Sequence, residues 1–225
     1  MMSKLTKLKA RPDYVDEVYK ILLDAICDGT LIPGGRITQE EIAEQLSVSR
    51  SPVLQAIRLL KNDGFLEDAP GRGVQVTALD PAWIAHVYEI RGALDGLAAR
   101  LAAKRKKRID PRLIENGRKA ATGYAVKDLI NSDMAFHSAL YQASGNPLIA
   151  QTARLHWVHL RRVMGAVLQS SGQRESIWDE HEGIAAAIKK GDVTLAGELS
   201  ERHTRRASEN LLHRLNEVLA EESEP

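Results

Sequence analysis

Apolar residues recur at helical spacing through most of the chain, and one stretch breaks that rhythm. Between Thr38 and Gly73 the sequence reads TQEEIAEQLSVSRSPVLQAIRLLKNDGFLEDAPGRG. Ile42, Ala43 and Leu46 share one face, and Thr38 followed three residues later by Glu41 has capping-box spacing, which predicts a first helix of about three turns. Ser49 or Ser51 can cap a second helix with Pro52 in its first turn. Val53, Ala56, Ile57 and Leu60 form the apolar face of that helix, and Gly64 stops it. Phe65–Asp68 and Val74–Thr77 read as short strands, joined by the turn residues Pro70-Gly71-Arg72-Gly73 around one arginine.

Past Thr77 the pattern is purely helical. Helix starts are expected at Asp80-Pro81, Asp110-Pro111, Asn146-Pro147 and Asp192, where a capping side chain or a first-position proline precedes an apolar run. Gly123, Gly145, Gly172 and Gly191 punctuate the intervals, giving about six helices. Leu94, Leu97, Ala98, Leu101 and Ala102 form one predicted core stripe; the segments Ile184–Ile188 and Leu195–Leu199 form another. The expected fold is mainly α: a winged helix-turn-helix over residues 1–78, then an all-α antiparallel bundle over residues 79–225.

The chain has 225 residues, 44% of them hydrophobic, enough for two cores. Its net charge of +1 excludes a broadly basic nucleic-acid binder, so positive charge must act locally, through Arg50, Arg58, Lys61 and Arg72. The basic run Lys104–Arg108 is either a DNA or membrane contact or a solvated helix C-terminus; the second reading is favoured because cations complement the helix dipole there. Cys27 is the only cysteine, which excludes an intrachain disulfide framework, and it is expected to pack in the first helix. With no apolar run of spanning length and no signal-peptide core, a cytoplasmic protein without membrane contact is expected.

Two short amphipathic helices joined by a tight turn must cross steeply. The N-terminal end of the second, carrying Ser49, Arg50 and Ser51, is then free to enter a major groove, with the arginine-tipped hairpin as a wing. LSVSRSPVLQAIRLLKNDGFLE, PGRGVQV and the preceding LIPGGRIT resemble the winged helix-turn-helix of the GntR family of bacterial transcription regulators, over about Tyr14 to Thr77. That resemblance implies double-stranded operator DNA as a partner. It places Ser49, Arg50, Ser51 and Pro52 at the operator, and Arg72 between Gly71 and Gly73 in the minor groove. Thr38, Gln55 and Arg58 complete the candidate DNA-contacting set. Many members carry arginine where this chain has Leu54, so Gln55 or Arg58 is expected to substitute, or the operator differs.

Asp133 and His137, spaced i, i+4, project from one helical face. His181 and His203 lie on later helices, and antiparallel packing can bring all four together as a site for a divalent transition metal. The chain has seven histidines, and by spacing alone such residues can equally be hydrogen-bonded core or surface groups. SDMAFHSALYQASGNPLI and DEHEGIAAAIKKGDVTLAGELSERHTRRA are similar to the FadR C-terminal (FCD) domain, the all-helical effector module behind many GntR winged helices. The resemblance implies that Asp133, His137, His181 and His203 hold an ion, zinc first, with nickel or another transition metal as alternatives. Six helices rather than seven would place the domain near the VanR-like branch.

In an octahedral site two positions stay open for ligand oxygens, so the metal can anchor a small organic acid. Arg91 is the leading carboxylate partner and could equally pair with Asp95 at i+4. Arg161, Arg162 and Asn210 are further effector candidates, whereas His156, His159, Trp157 and Trp178 are assigned to packing. The reading is a homodimeric, metabolite-responsive regulator, a repressor released by a carboxylate. The alternatives are a metal-dependent hydrolase or oxygenase, which leaves the wing and Ser49–Pro52 unexplained, and a regulator whose metal is structural or is itself the signal.

Overall fold

The computed structural model describes residues 14–123, 125–168 and 176–221, and its contacts divide the chain into two compact units, Met1–Ala78 and Leu79–Pro225. The N-terminal unit holds α1 (Tyr14–Cys27), β1 (Arg36–Ile37), α2 (Gln39–Gln45), α3 (Arg50–Asn62), β2 (Leu66–Asp68) and β3 (Val74–Val76). Thr38 caps α2 reciprocally: its hydroxyl accepts from the Glu41 N–H, and Glu41 accepts from the Thr38 N–H at 2.9 Å. This helix has seven residues rather than the expected three turns, because the chain turns through Leu46 and Ser47, and Ser47 adopts a left-handed φ of 52°.

Ser49 occupies the N-cap of α3 without a side-chain cap bond. Val53, Ala56, Ile57 and Leu60 bury the inner face of α3 as the spacing required, and Cys27 is buried at the end of α1. The hairpin strands are each a residue shorter at one end than expected. The sheet also gains β1, antiparallel to β3 with Arg36 opposite Gln75, in the order β1-β3-β2. Two residues are too few to show period-two alternation, so β1 left no pattern to read.

The C-terminal unit holds α4 (Pro81–Lys104), α5 (Pro111–Thr122), α6 (Val126–Ser144), α7 (Pro147–Val167), α8 (Ser176–Lys190) and α9 (Val193–Glu221). Asp80, Asp110 and Asn146 cap α4, α5 and α7 through their side chains, each with proline at the first helical position. Asp192 precedes α9 and accepts from the Leu195 N–H. Gly172 lies outside the described residues.

The predicted α4 stripe needs correction. Ala98 and Ala102 are buried, but Leu97 is 44% exposed and Leu94 and Leu101 are only half-buried. The inward face instead runs through Ile84, Val87, Tyr88, Arg91, Asp95, Ala98 and Ala102. Two charged residues on that face disguise it as a solvent face in any hydropathy pattern. Leu195 is likewise exposed while Ala196 is buried. Gly96 and Gly197 permit close approach of α4 and α9; a Cβ at Gly96 would lie 2.7 Å from Glu201 Oε1, and one at Gly197 2.4 Å from Arg100 Cζ.

The basic run closes helix ends. Residues 104–108 are exposed, and Arg105 lies over Gly145, the left-handed C-cap of α6, while Lys106 lies over Gly191 at the end of α8. With α4's own terminus, three helix C-termini gather cations.

Gly117 lies beneath the fully buried ring of Trp178, where a Cβ would come within 2.1 Å of the indole. Gly117→Ala would gain about 1 kcal/mol of helix propensity. The clash is with a ring that cannot rotate away, and overpacking of this kind costs about 1–3 kcal/mol or more. A net fall in the melting midpoint is the expected result in a thermal scan.

Candidate metal centre and DNA-reading face

The site in the C-terminal unit starts from α6. Asp133 and His137 stand one turn apart on its buried face, and α8 and α9 bring His181 and His203 to the same point. His181 Nε2 and His203 Nε2 are 3.2 Å apart, Asp133 Oδ1 is 3.5 Å from His181 Nε2, and His137 Nε2 is 3.9 Å from Asp133 Oδ1. The ligand atoms of the three histidines lie within 4.8 Å of one another. Nitrogens bound about 2.0–2.1 Å from a common tetrahedral ion stand roughly 3.3 Å apart, so the His181–His203 pair already has ligand spacing.

The electrostatics agree with a cation. Burial, reinforced by the Arg91 charge, holds His137 and His181 well below the usual imidazole range, so both are neutral and carry a lone pair. Burial also raises the Asp133 carboxyl, and its Oδ1 is fully buried with no hydrogen bond. A buried carboxylate oxygen left without a hydrogen bond is satisfied by a cation bound beside it. His203 Nδ1 lies 2.8 Å from Glu180 Oε2, so Nδ1 donates to that carboxylate and Nε2 faces the cluster. Glu180 in turn pairs with Arg206.

Behind the cluster lies a second buried network. Asp95 accepts from the Tyr141 hydroxyl at 2.5 Å and from the Thr204 hydroxyl at 3.0 Å. Arg91 Nε stands 3.2 Å from Asp95 Oδ2, the i, i+4 pair expected, though off the line of a hydrogen bond. Its guanidinium lies over the Trp157 ring at 4.1 Å, and its Nη2 is 2.7 Å from His137 Nε2. Burial alone would lower the Arg91 pKa, but Asp95 together with Tyr141, Tyr88 and Asp133 outweighs it, so the cation is held firmly.

A cavity of about 130 Å³ opens beside these groups, lined by Arg91, Asp133, Glu180, His203, Arg206, Asn210 and Arg214 together with Tyr88, Leu129, Met164 and Trp178. Arg91 and Asn210 therefore reach the cavity, whereas Arg161 and Arg162 are absent from its lining. Glu180, Arg206 and Arg214 take their place. The row His203, Arg206, Asn210 and Arg214 follows i+3/i+4 spacing along α9, so the sequence could have supplied it. Trp157 and Trp178 are buried as packing residues, and Trp178 also walls the cavity.

In the N-terminal unit the outward face of α3 presents Arg50, Ser51, Leu54, Gln55 and Arg58, all exposed. Pro52 sits in the first turn, and Arg50 makes an exposed 3.1 Å ion pair with Glu40. Thr38 is occupied by its capping box, so its side chain positions α2. Gly71 and Gly73 take φ of 91° and 93°, and a Cβ at Gly73 would press within 2.7 Å of the Ile37 carbonyl oxygen; glycine is required there. Arg72 is exposed between them. Arg36 is a cation missed in the sequence, its guanidinium 3.7 Å from the Cβ position of Gly71. Lys61 is tied to Asp68 of β2 at 2.7 Å.

Residues 14–76 match the bacterial regulatory proteins of the gntR family, and residues 86–206 match the FCD domain. The chain belongs to the GntR family of transcription regulators, with an FCD domain at its C-terminal side. This GntR regulator is 30% identical over 220 residues, 94% of its own length and 96% of the relative's, to the uncharacterized HTH-type transcriptional regulator YdhC of Bacillus subtilis (strain 168). It is 26% identical over 198 residues, 87% of each chain, to the "Probable D-xylose utilization operon transcriptional repressor" of Paenarthrobacter nicotinovorans. The solved structure of E. coli McbR/YncC superposes with a TM-score of 0.75 over 89% of this chain and 97% of that one; at 21% identity it shows the shared fold. The activity is DNA-binding transcription regulation, not enzymatic turnover. Among the described residues no helix is long and apolar enough to cross a membrane.

Proposed function

We propose that this GntR regulator is a homodimeric repressor whose hold on its operator is released when a small carboxylate binds the α9-lined cavity beside a divalent metal, zinc in first place. The observation that carries this reading is the gathering of three buried imidazoles beside the unbonded Asp133 Oδ1, at the wall of a cavity that also presents arginines. Asp133, His137, His181 and His203 would hold the ion. When bound, it would offer open coordination positions to ligand oxygens. One lone pair on His137 Nε2 cannot serve both an ion and Arg91 Nη2, so metal binding would turn the Arg91 guanidinium toward the cavity as a carboxylate partner. The six helices among the described residues, α4 to α9, support a place in the VanR-like branch.

Support for a homodimer comes from α4 and α7. Trp83, Ile90 and Leu97 are 54%, 50% and 44% exposed at seven-residue intervals on α4, and Leu148 and Leu155 are 65% and 60% exposed at the same interval on α7. Trp83 meets His159 of α7 edge-on at 6.1 Å, so the two stripes run side by side. Seven-residue spacing keeps such groups on one helix face, and a continuous exposed apolar patch marks an interaction surface. Pairing two readers over a two-fold operator compensates for the few base contacts one winged helix makes.

The test is a thermal-shift panel of mono-, di- and tricarboxylates with the zinc-loaded and the chelated protein. At about a hundred-fold excess over Kd a true effector should raise the midpoint of the zinc-loaded protein by roughly 5–10 °C, leave the chelated protein unmoved, and release operator DNA in a gel shift. An effector that acts equally on both forms would restrict the metal to a structural role.

A further inference from the structure

On the outward face of α3, Arg50, Leu54 and Arg58 follow one another at i, i+4 and i+8, with Ser51 and Gln55 on the adjoining row. Every side chain in the set but one is polar. Leu54 is 39% exposed at the middle of it, and lines a recess walled by Thr38, Gln39 and Glu40 of the α2 start and by Arg72 and Gly73 of the wing tip.

We infer that Leu54 is a specificity-determining residue, which reads the C5-methyl group of one thymine in each operator half-site. This rests on the reading that the outward face of α3 enters the major groove. The edges that base pairs present there are hydrogen-bond donors and acceptors, with a single apolar exception, the thymine methyl. A leucine set against any other edge strips water from a polar group and returns no hydrogen bond, whereas against the methyl both partners lose apolar surface to water. Arg50 and Arg58, one turn to either side, can hold phosphates or guanine edges, and so fix the register in which Leu54 meets its base. The recess places Leu54 between the start of α2 and the wing tip, beside Arg72.

The experiment selects binding sites from a random duplex pool with the full-length protein and with Leu54→Ala, then replaces each thymine of the wild-type consensus by uracil, which deletes only the methyl. Wild-type sites should hold an invariant thymine in each half-site. Its replacement should weaken binding about 4-fold per half-site and about 15-fold for the pair. Leu54→Ala should be indifferent to that replacement and should select sites without the thymine. Because the uracil arm leaves the protein unaltered, it reads out independently of the folding of the variant. Unchanged wild-type affinity at every uracil position, or equal uracil sensitivity in Leu54→Ala, would overturn the assignment of Leu54. Arg50→Ala serves as the control for the parent reading. If it too binds the selected sites with unchanged affinity, it is the placement of α3 on DNA that fails.

Discussion

His181→Ala should cost this regulator its metal: zinc affinity falls by more than about 100-fold, and chelator no longer shifts the melting midpoint. Of the four candidate ligands, His181 is the one whose loss is most diagnostic. Its Nε2 lies 3.2 Å from that of His203 and 3.5 Å from Asp133 Oδ1, so it stands between the other donors. Its ring stacks on Phe136 with centroids 4.0 Å apart, and it is fully buried, so removal also leaves a void worth a few kcal/mol. His181→Gln separates the two effects by refilling much of that void without restoring the imidazole ligand. Elemental analysis of both purified variants should find less than a stoichiometric metal ion. Full zinc occupancy in His181→Gln would remove this residue from the site. Binding to operator DNA in the absence of effector should persist in both, since the reader lies in the other unit.

The second large effect concerns pairing. Ile90→Glu combined with Leu155→Glu places a charge in each of the two apolar stripes of α4 and α7. Both positions are at least half exposed in the single chain, so the monomer should fold while the dimer pays to desolvate two carboxylates per subunit. Sedimentation velocity should then show a monomer, and operator affinity should fall by about 100-fold to 10,000-fold as the linked second half-site is lost. A dimer persisting at micromolar concentration with unaltered operator affinity would move the interface elsewhere.

Much of this molecule was legible in one dimension because its signals are local. The Thr38–Glu41 box, the aspartate- and asparagine-proline starts at 80, 110 and 146, and the glycine pair at 71 and 73 are backbone requirements that only particular side chains satisfy, and each appears where it was read. The paired spacing of Asp133 and His137 belongs to the same class, since one helical turn aligns them whatever the surroundings. The misread positions share a cause. On α4 the buried face includes Arg91 and Asp95, whose charges are matched by Tyr141, Thr204 and His137 from helices far along the chain, so hydropathy assigned the core to Leu97 instead.

The amino-acid order thus determined the winged reader, the capped starts of α4, α5 and α7, and two candidate ligands on one turn. Tertiary structure alone decided that His181 and His203 come to those two, that Glu180 orients His203, and that Arg206 and Arg214 line the cavity where Arg161 and Arg162 do not. The physical reason is range. Caps and turns are settled by bonds between residues a few positions apart, whereas a buried charge or an imidazole lone pair acquires its role from partners that only packing brings within a few ångströms.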